Sequence, residues 1–414
     1  MVGQNETQVD VAVVGGGPGG VFFAYMAARA GLRVHLLEAQ SDFNREFRGD
    51  TLNPLALGLL EELGLISKIM ELPHGTVNTL RGSGAIPYMI SYSMLRSKYP
   101  YVMILSQSLF LNFMVEQAQQ YPNFTLEMRS RVSGLIEENG AIQGVEYRDA
   151  TGSLRTLRAT LTIAADGRNS AVRKLANIET LTLTNQPDDI LWMRIPMQDD
   201  LDPKEDLVTR QDATNSLFMF RRPYERDWQA GVTIIKGDYK ALRAQDISVF
   251  RAQMRNLVPE FGDRLEKLEW SDVAYLPVDL KRAVQWYRDG LLLIGDSAHI
   301  MSPVGGVGIN LAIRDAVVAA NMLIAPLKQG AVSIEQLAQV QRKVEWDIKI
   351  TQNFQASIQN ASKRTAKNSF GSKIGRKMAG WFTKIPLVNS IPVRILAFGL
   401  VNVEVDTTLL AHIA

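Results

Sequence analysis

Three groups of residues in this chain have the types and spacing to hold a phosphorylated cofactor. The first is Gly15-Gly16-Gly17-Pro18-Gly19-Gly20, a GxGxxG on Gly15, Gly17 and Gly20. In such a fingerprint the first glycine permits a tight turn. The second lets the backbone approach a pyrophosphate, and the third lets helix pack on strand. Glu38 follows 18 residues after Gly20, where a carboxylate can accept hydrogen bonds from both hydroxyls of an adenosine ribose. A 2′-phosphate there would meet like charge. The second group is Asp166-Gly167 with Ser170 and Arg173, and the third is Gly295-Asp296 followed by Pro303 and a glycine-rich run to Asn310. The fingerprint alone does not separate NAD from FAD.

The elements that must position these residues are legible around them. Val9 to Val14 is a β-branched apolar run of the kind buried in a parallel sheet. The stretch VFFAYMAARAG that follows the glycines reads as a helix stopped by Gly31, and Val34 to Leu37 reads as a second strand ending at Glu38. Together they form a βαβ unit whose helix N-terminus offers free N–H groups and a positive dipole end. An apolar strand from Leu161 runs into Asp166-Gly167, and a helix starts by Ser170 and Arg173. A buried strand, Leu291 to Ile294, delivers Gly295-Asp296, and an apolar helix from Ile309 to Ile324 begins after the glycine-rich loop, near Gly308.

Composition narrows the classes. A length of 414 residues suggests two to three domains. Apolar residues at 46% and charged residues at 21% describe an ordinary globular chain. The net charge of +2 gives no basic surface for nucleic acid. With no cysteine, and only His35, His74, His299 and His412 without HxxxH spacing, disulfides, iron–sulfur clusters and a protein-built metal site are not expected. No run reaches the ~18 uninterrupted apolar residues of a membrane span. The longest candidate, Ile385 to Val403, is broken by Pro386, Pro392 and Arg394. The N-terminus has neither a basic start nor an apolar core, so a cytoplasmic location is expected.

In order and at familiar separations, GxGxxG, DGxxSxxR and GD…P…GxGxN resemble the signatures of the class A flavoprotein monooxygenases, the para-hydroxybenzoate-hydroxylase-like family. The resemblance spans roughly Val9 to Ala325. It implies an α/β fold with an FAD-binding Rossmann-like parallel sheet and β-meander, a second mixed or antiparallel substrate sheet, and C-terminal helices. It also implies an FAD-dependent monooxygenase. NAD(P)H would act as transient electron donor without a Rossmann domain of its own, and dioxygen would form a flavin hydroperoxide. An aromatic or polyketide-like organic molecule would then be hydroxylated or epoxidised.

By the same resemblance, Asp296 meets the ribityl chain, the loop from Pro303 through Gly308 and the backbone at Ile309 and Asn310 meet the isoalloxazine, and Asp166 with Gly167 lies near the pyrophosphate. A helix N-terminus at the pyrimidine edge would favour the anionic reduced flavin by roughly 0.3–2 kcal/mol. Arg48 matches a family arginine near the flavin, and Gln107 stands where many members carry a phosphate-binding arginine; its amide can still bond a ribityl or phosphate oxygen. Backbone near Val132 is expected at adenine. No catalytic side chain is assigned, because the flavin carries the chemistry; Arg48 and His299 are weak candidates.

A flavin-dependent halogenase and an isoprenoid reductase share the scaffold. The run Trp192 to Pro196 lacks the second tryptophan of the halogenase WxWxIP pattern. A non-catalytic FAD-binding protein is the alternative from another class.

Short alternating runs between Phe124 and Ala164, with an Asn139-Gly140 turn, read as the meander. Residues 175–286 read as strands with one long helix, Ile247 to Leu257, forming the substrate domain. Residues 1–174 and 287–330 form the FAD domain, and 331–414 a C-terminal helical segment. Trp192, Arg194, Phe218, Phe220 and Tyr275 are expected to line a substrate cavity. Between Asp347 and Glu404 the chain has nine Lys or Arg and no acid in 56 positions, a candidate peripheral membrane contact or donor-guiding surface.

Overall fold

In the computed structural model the described residues are 6–44, 50–82, 88–184, 187–198, 203, 207–212, 215–366 and 393–410. Strand β1 (Glu6–Val14) enters the glycine turn, helix α1 (Pro18–Arg29) leaves it, and β2 (Val34–Glu38) ends at the carboxylate. Helix α2 (Gln107–Ala118) precedes β3 (Phe124–Met128). The meander β4 (Arg131–Glu138), β5 (Ala141–Arg148) and β6 (Leu154–Ala164) then leads to the short helix α3 (Ala171–Leu175).

β1 pairs in parallel with both β2 and β6, and β2 with β3. One edge of β6 holds β1. Its other edge is divided between antiparallel β5, along Leu154 to Arg158, and parallel β13 (Leu291–Leu293), along Thr162 to Ala164. This shared edge brings the carboxyl ends of β1, β6 and β13 side by side, and all three motifs begin at those ends. Val11, Ala12 and Val13 are fully buried, which explains why β1 lacks polar alternation.

The second sheet is antiparallel: β7 (Asp188–Pro196), β8 (Leu207–Gln211), β9 (Ser216–Arg222), β10 (Asp227–Ile235) and β11 (Ala274–Leu276), in the order β8-β9-β10-β7-β11. β8 is a strand that the sequence pattern did not reveal. Leu191, Met193, Met219 and Trp228 on one face bury against Phe250 and Met254 of helix α4 (Ile247–Leu257). Strand β12 (Tyr287–Arg288) edges the parallel sheet beside β13.

Helix α5 (Gly308–Lys328) is the core helix, packed against α1 where Gly19 faces Ala312; a Cβ on Gly19 would lie 3.1 Å from the Ala312 carbonyl oxygen. By length and composition α5 could cross a membrane, although Asn310, Arg314, Asp315 and Asn321 keep it short of the ~18 uninterrupted apolar residues set as the sequence criterion. Its apolarity is that of a buried helix: Ile313, Ala316, Val317, Leu323 and Ile324 are fully enclosed in the core. Arg314, within α5, pairs with Asp347 of helix α6 (Ile334–Ala366).

Candidate functional site

The glycine turn owes its shape to steric limits within the protein. Gly15 has φ +102°, and a Cβ there would lie 2.5 Å from the Ala165 carbonyl oxygen. A Cβ on Gly20 would lie 2.0 Å from the Gly15 carbonyl oxygen. Gly17 differs, because the nearest atom to a Cβ would be 3.7 Å away, in ordinary contact. Among the described residues nothing demands glycine at that position. Glu38 is buried, with Oε2 accepting from the Gly16 amide at 2.7 Å and Oε1 from the Gln40 amide at 2.9 Å. Its carboxylate thus braces the loop, and an adenosine ribose would have to use its remaining lone pairs.

The second and third motifs are bolted together. Asp166 Oδ1 accepts from Ser170 Oγ at 2.5 Å and Ser297 Oγ at 3.1 Å, and Oδ2 accepts from the Val172 amide at 3.1 Å. Ser170 caps α3 by accepting from the Arg173 amide. The Arg173 guanidinium donates to the carbonyls of Ser297 and Arg168. Burial holds its pKa below the ordinary guanidinium value, with Asp166 and Asp296 opposing. Ser297, which sequence reasoning passed over, also accepts from the Gly167 amide at 2.9 Å. Its only sequence signal was adjacency to Asp296.

Asp296 itself is partly exposed, its side chain 35% accessible and met by Arg168 Nε at 3.3 Å. Behind it the loop over 303–308 is fixed by Asn310. Its Oδ1 accepts from the Asn53 amide at 2.9 Å, and its Nδ2 donates to the carbonyls of Thr51 and Gly306. The side chain of Asn310 therefore holds the loop while its backbone belongs to the first turn of α5. His299 is enclosed, 1% exposed against Trp286, with Nε2 2.6 Å from Asp315 Oδ2. Asp315 also accepts from the Gly295 amide at 3.0 Å, so this pair anchors the Gly295 turn from within.

A polar cluster joins the antiparallel sheet to the N-terminus of α2. Asp50 accepts from the Gln107 amide at 3.0 Å and from Arg222 Nη1 at 3.3 Å. Burial pushes the Asp50 carboxyl up, opposed by the Gln107 amide, Arg222 and Arg194. Arg222 is fully buried and forms a two-point pair with Asp227 at 2.7 and 2.8 Å. Burial likewise pushes the nearby Tyr224 hydroxyl up. Gln107 Oε1 and the Tyr224 hydroxyl are buried with no hydrogen-bond partner among the described residues.

Cross-strand register decides which expected cavity residues share a face. Trp192 lies opposite Gly231, Gly231 opposite Phe218, and Arg194 opposite Gln229, which also faces Phe220. These residues stand on the face turned away from α4. Trp192 and Phe218 meet edge to face at 5.1 Å. Tyr275 does not join them. It lies opposite Leu191, on the face that α4 covers, stacks on Tyr239 at 4.2 Å and donates to Asp189 Oδ2 at 2.7 Å. Burial and Asp189 raise its pKa to about 12. The expectation that Tyr275 lines the same cavity is therefore corrected: alternation along a three-residue edge strand sent it the other way.

Val132 packs its side chain into the core at the start of β4, next to Ser130, whose amide donates to the Glu38 carbonyl at 2.8 Å. Arg48 lies outside the described residues, as does 367–392 of the acid-free stretch. In its described part, Lys349 pairs with Glu345 at 3.0 Å and Arg394 is exposed.

The donor set fits a flavin dinucleotide. No side chain caps the N-termini of α1 and α5, and neither has an acid in its first turn, so both offer N–H groups and positive dipole ends to a ligand. Gly17 leaves room for a close approach, and Gln107 Oε1 awaits a donor.

Comparison with known proteins agrees. Residues 8–348 match the FAD binding domain family. The chain is 34% identical over 328 residues to 6-methylpretetramide 4-monooxygenase of Streptomyces rimosus, covering 78% of this chain and 77% of that one. It is 28% identical over 349 residues to para-nitrophenol 4-monooxygenase of Pseudomonas sp. (strain WBC-3), covering 79% and 80%. Among solved structures, p-nitrophenol 4-monooxygenase from Pseudomonas putida DLL-E4 shares the fold with a TM-score of 0.76 at 21% identity, over 94% of this chain and 97% of that one.

Proposed function

The chain belongs to the FAD binding domain family of flavin-dependent monooxygenases, and on that premise we propose that its three motifs hold one FAD between them and that it hydroxylates an aromatic or polyketide-like small molecule with NAD(P)H and dioxygen. It is an FAD-dependent oxidoreductase. The observation that carries the site assignment is convergence: Gly15 backs onto Ala165 and Asp166, and Asp166 is tied to Ser297 beside Asp296. Relatives that act on 6-methylpretetramide and para-nitrophenol support the substrate class.

In this reading the amides at the start of α1 and the bare backbone of Gly17 take the pyrophosphate, and Glu38 takes the adenosine ribose with backbone near Val132 at adenine. Gln107 Oε1 is an acceptor, so it suits a ribityl hydroxyl better than a phosphate oxygen. Asp296 accepts from another ribityl hydroxyl, and Gly167 lies near the pyrophosphate. Pro303, Gly308, Ile309 and Asn310 present backbone to the isoalloxazine, where the α5 dipole favours negative charge by roughly 0.3–2 kcal/mol. Bound FAD supplies the electron relay from NAD(P)H and the activation of dioxygen. Trp192, Phe218 and Phe220 wall the substrate and keep water out, and Arg194 brings positive charge to it.

The division into an FAD domain (1–174 and 287–330), a substrate domain (175–286) and a helical segment (331–414) belongs to this reading. So do a cytoplasmic location and a role of the basic stretch at a membrane surface or in guiding the donor.

The test is a spectrum and a screen. The purified protein is expected to be yellow, and a substrate of this class should accelerate NAD(P)H oxidation with product gaining one oxygen. A colourless protein that takes up no added FAD refutes the proposal, as does product formation without loss of dioxygen.

A further inference from the structure

Arg168 follows the Asp166-Gly167 turn, and its guanidinium bonds three segments that are distant from it in the chain. Nε donates to Asp296 Oδ2 at 3.3 Å, Nη1 to the Pro277 carbonyl at 3.0 Å and Nη2 to the Met301 carbonyl at 3.1 Å. Pro277 joins β11 to the next strand, Leu280–Ala283, and its neighbour Val278 is buried with Ile190 and Trp192 of the antiparallel sheet. Met301 leads into the loop over 303–308. One side chain thus spans the second motif, the third motif and the edge of the antiparallel sheet. Arg173, a second cation close by, spends its guanidinium on the carbonyls of Ser297 and Arg168.

An aspartate side chain that is 35% accessible is free to turn among rotamers, and a ligand that fixes it bears the entropy cost. A single bond from a mobile arginine would not remove that freedom. Here the planar fork is held at both outer nitrogens by carbonyls that other elements place, so Nε meets Asp296 from a fixed position. Arg168 engages Oδ2, and Oδ1 has no partner among the described residues. A partly exposed ion pair adds little to stability, so orientation is the larger effect. We infer that Arg168 is a positioning residue for the cofactor: it holds the Asp296 carboxylate still, leaves Oδ1 for the ribityl chain of FAD and offsets the carboxylate charge. This rests on the reading of Asp296 as an FAD ligand. It goes further in naming the group that orients it.

The test is a double-mutant cycle on FAD affinity, read by fluorescence titration of the apoprotein with Arg168→Gln, Asp296→Ala and both together. Arg168→Gln is expected to weaken FAD binding about tenfold on its own and less than twofold when residue 296 is already Ala. In the FAD-loaded chain Arg168→Gln should also lower the flavin midpoint potential, because the Asp296 charge is left without its counter-ion as the flavin gains negative charge. The expected drop is about 30 mV, a tenfold loss of reduced over oxidised flavin binding in a two-electron couple. Arg168→Lys keeps the charge without the fork, and should keep the wild-type potential while recovering only part of the affinity. Wild-type FAD affinity in Arg168→Gln overturns the inference, as does an equal loss in both backgrounds. A loss of affinity with no shift in potential also overturns it, since packing alone would then explain the loss. Asp296→Ala by itself tests the underlying reading: wild-type affinity there removes Asp296 from the cofactor site and the inference with it. A loss in Asp296→Ala with none in Arg168→Gln refutes the inference and leaves the reading standing.

Discussion

Ser297 donates to Asp166 Oδ1 at 3.1 Å and accepts from the Gly167 amide at 2.9 Å, joining segments 131 residues apart in the chain. Ser297 is fully buried. Neither residue needs to touch a cofactor for this bond to matter, because it sets the distance between the turn after β6 and the turn after β13. Ser297→Ala strands the Gly167 amide, at a cost of about 1–3 kcal/mol. The expected outcome is a lower melting temperature and FAD binding weakened about tenfold, read by thermal unfolding and by flavin retention on dialysis.

Gly15 and Gly17 should separate folding from cofactor binding. Gly15→Ala meets both a positive φ and the Ala165 carbonyl, so loss of more than ~2 kcal/mol of stability is expected even without FAD. Gly17→Ala has φ −77° and 3.7 Å of clearance, so the apoprotein should melt within about 2 °C of wild type. Its FAD affinity should nevertheless fall by about tenfold or more, measured by fluorescence titration. Equal FAD affinity in Gly17→Ala and wild type would remove the pyrophosphate from this turn.

Gln107→Leu removes a buried acceptor that has no partner among the described residues. Stability of the apoprotein should hold or rise by up to ~1 kcal/mol, since an unpaired polar atom is replaced by an apolar group. FAD retention should fall, and a variant that retains flavin as well as wild type would take Gln107 out of the site.

Asp315 should give the protein an acid-sensitive limb. Burial alone would raise its pKa, but His299, Arg314 and the Gly295 amide hold it below the ordinary 3.8. A carboxyl whose folded value lies below its unfolded value stabilises above the unfolded value, and that stabilisation is lost as pH falls through the folded one. The loss should therefore begin near pH 4 and deepen below it. Asp315→Asn should flatten that limb and cost about 3–5 kcal/mol at pH 7, because it leaves buried partners uncompensated. Urea unfolding of both proteins between pH 3 and 7 reads the difference.

Much of this protein was determined by local sequence. The run Val9 to Val14, the glycines and Glu38 dictate a βαβ unit because turn geometry, strand burial and helix entry are all satisfied within about thirty residues. The meander was legible for the same reason, with Asn139-Gly140 between alternating runs. What only tertiary structure decided is what long-range pairing decides. Ser297 became a bolt because β13 pairs beside β6. Trp192 and Gln229 came to share a face, and Tyr275 to leave it, because register sets facing and strand composition does not. Arg314 and Asp315 sit in an apolar helix, and their partners Asp347 and His299 come from other elements. A side chain's chemistry is written in its own residue, but its partner is supplied by the way distant strands come together.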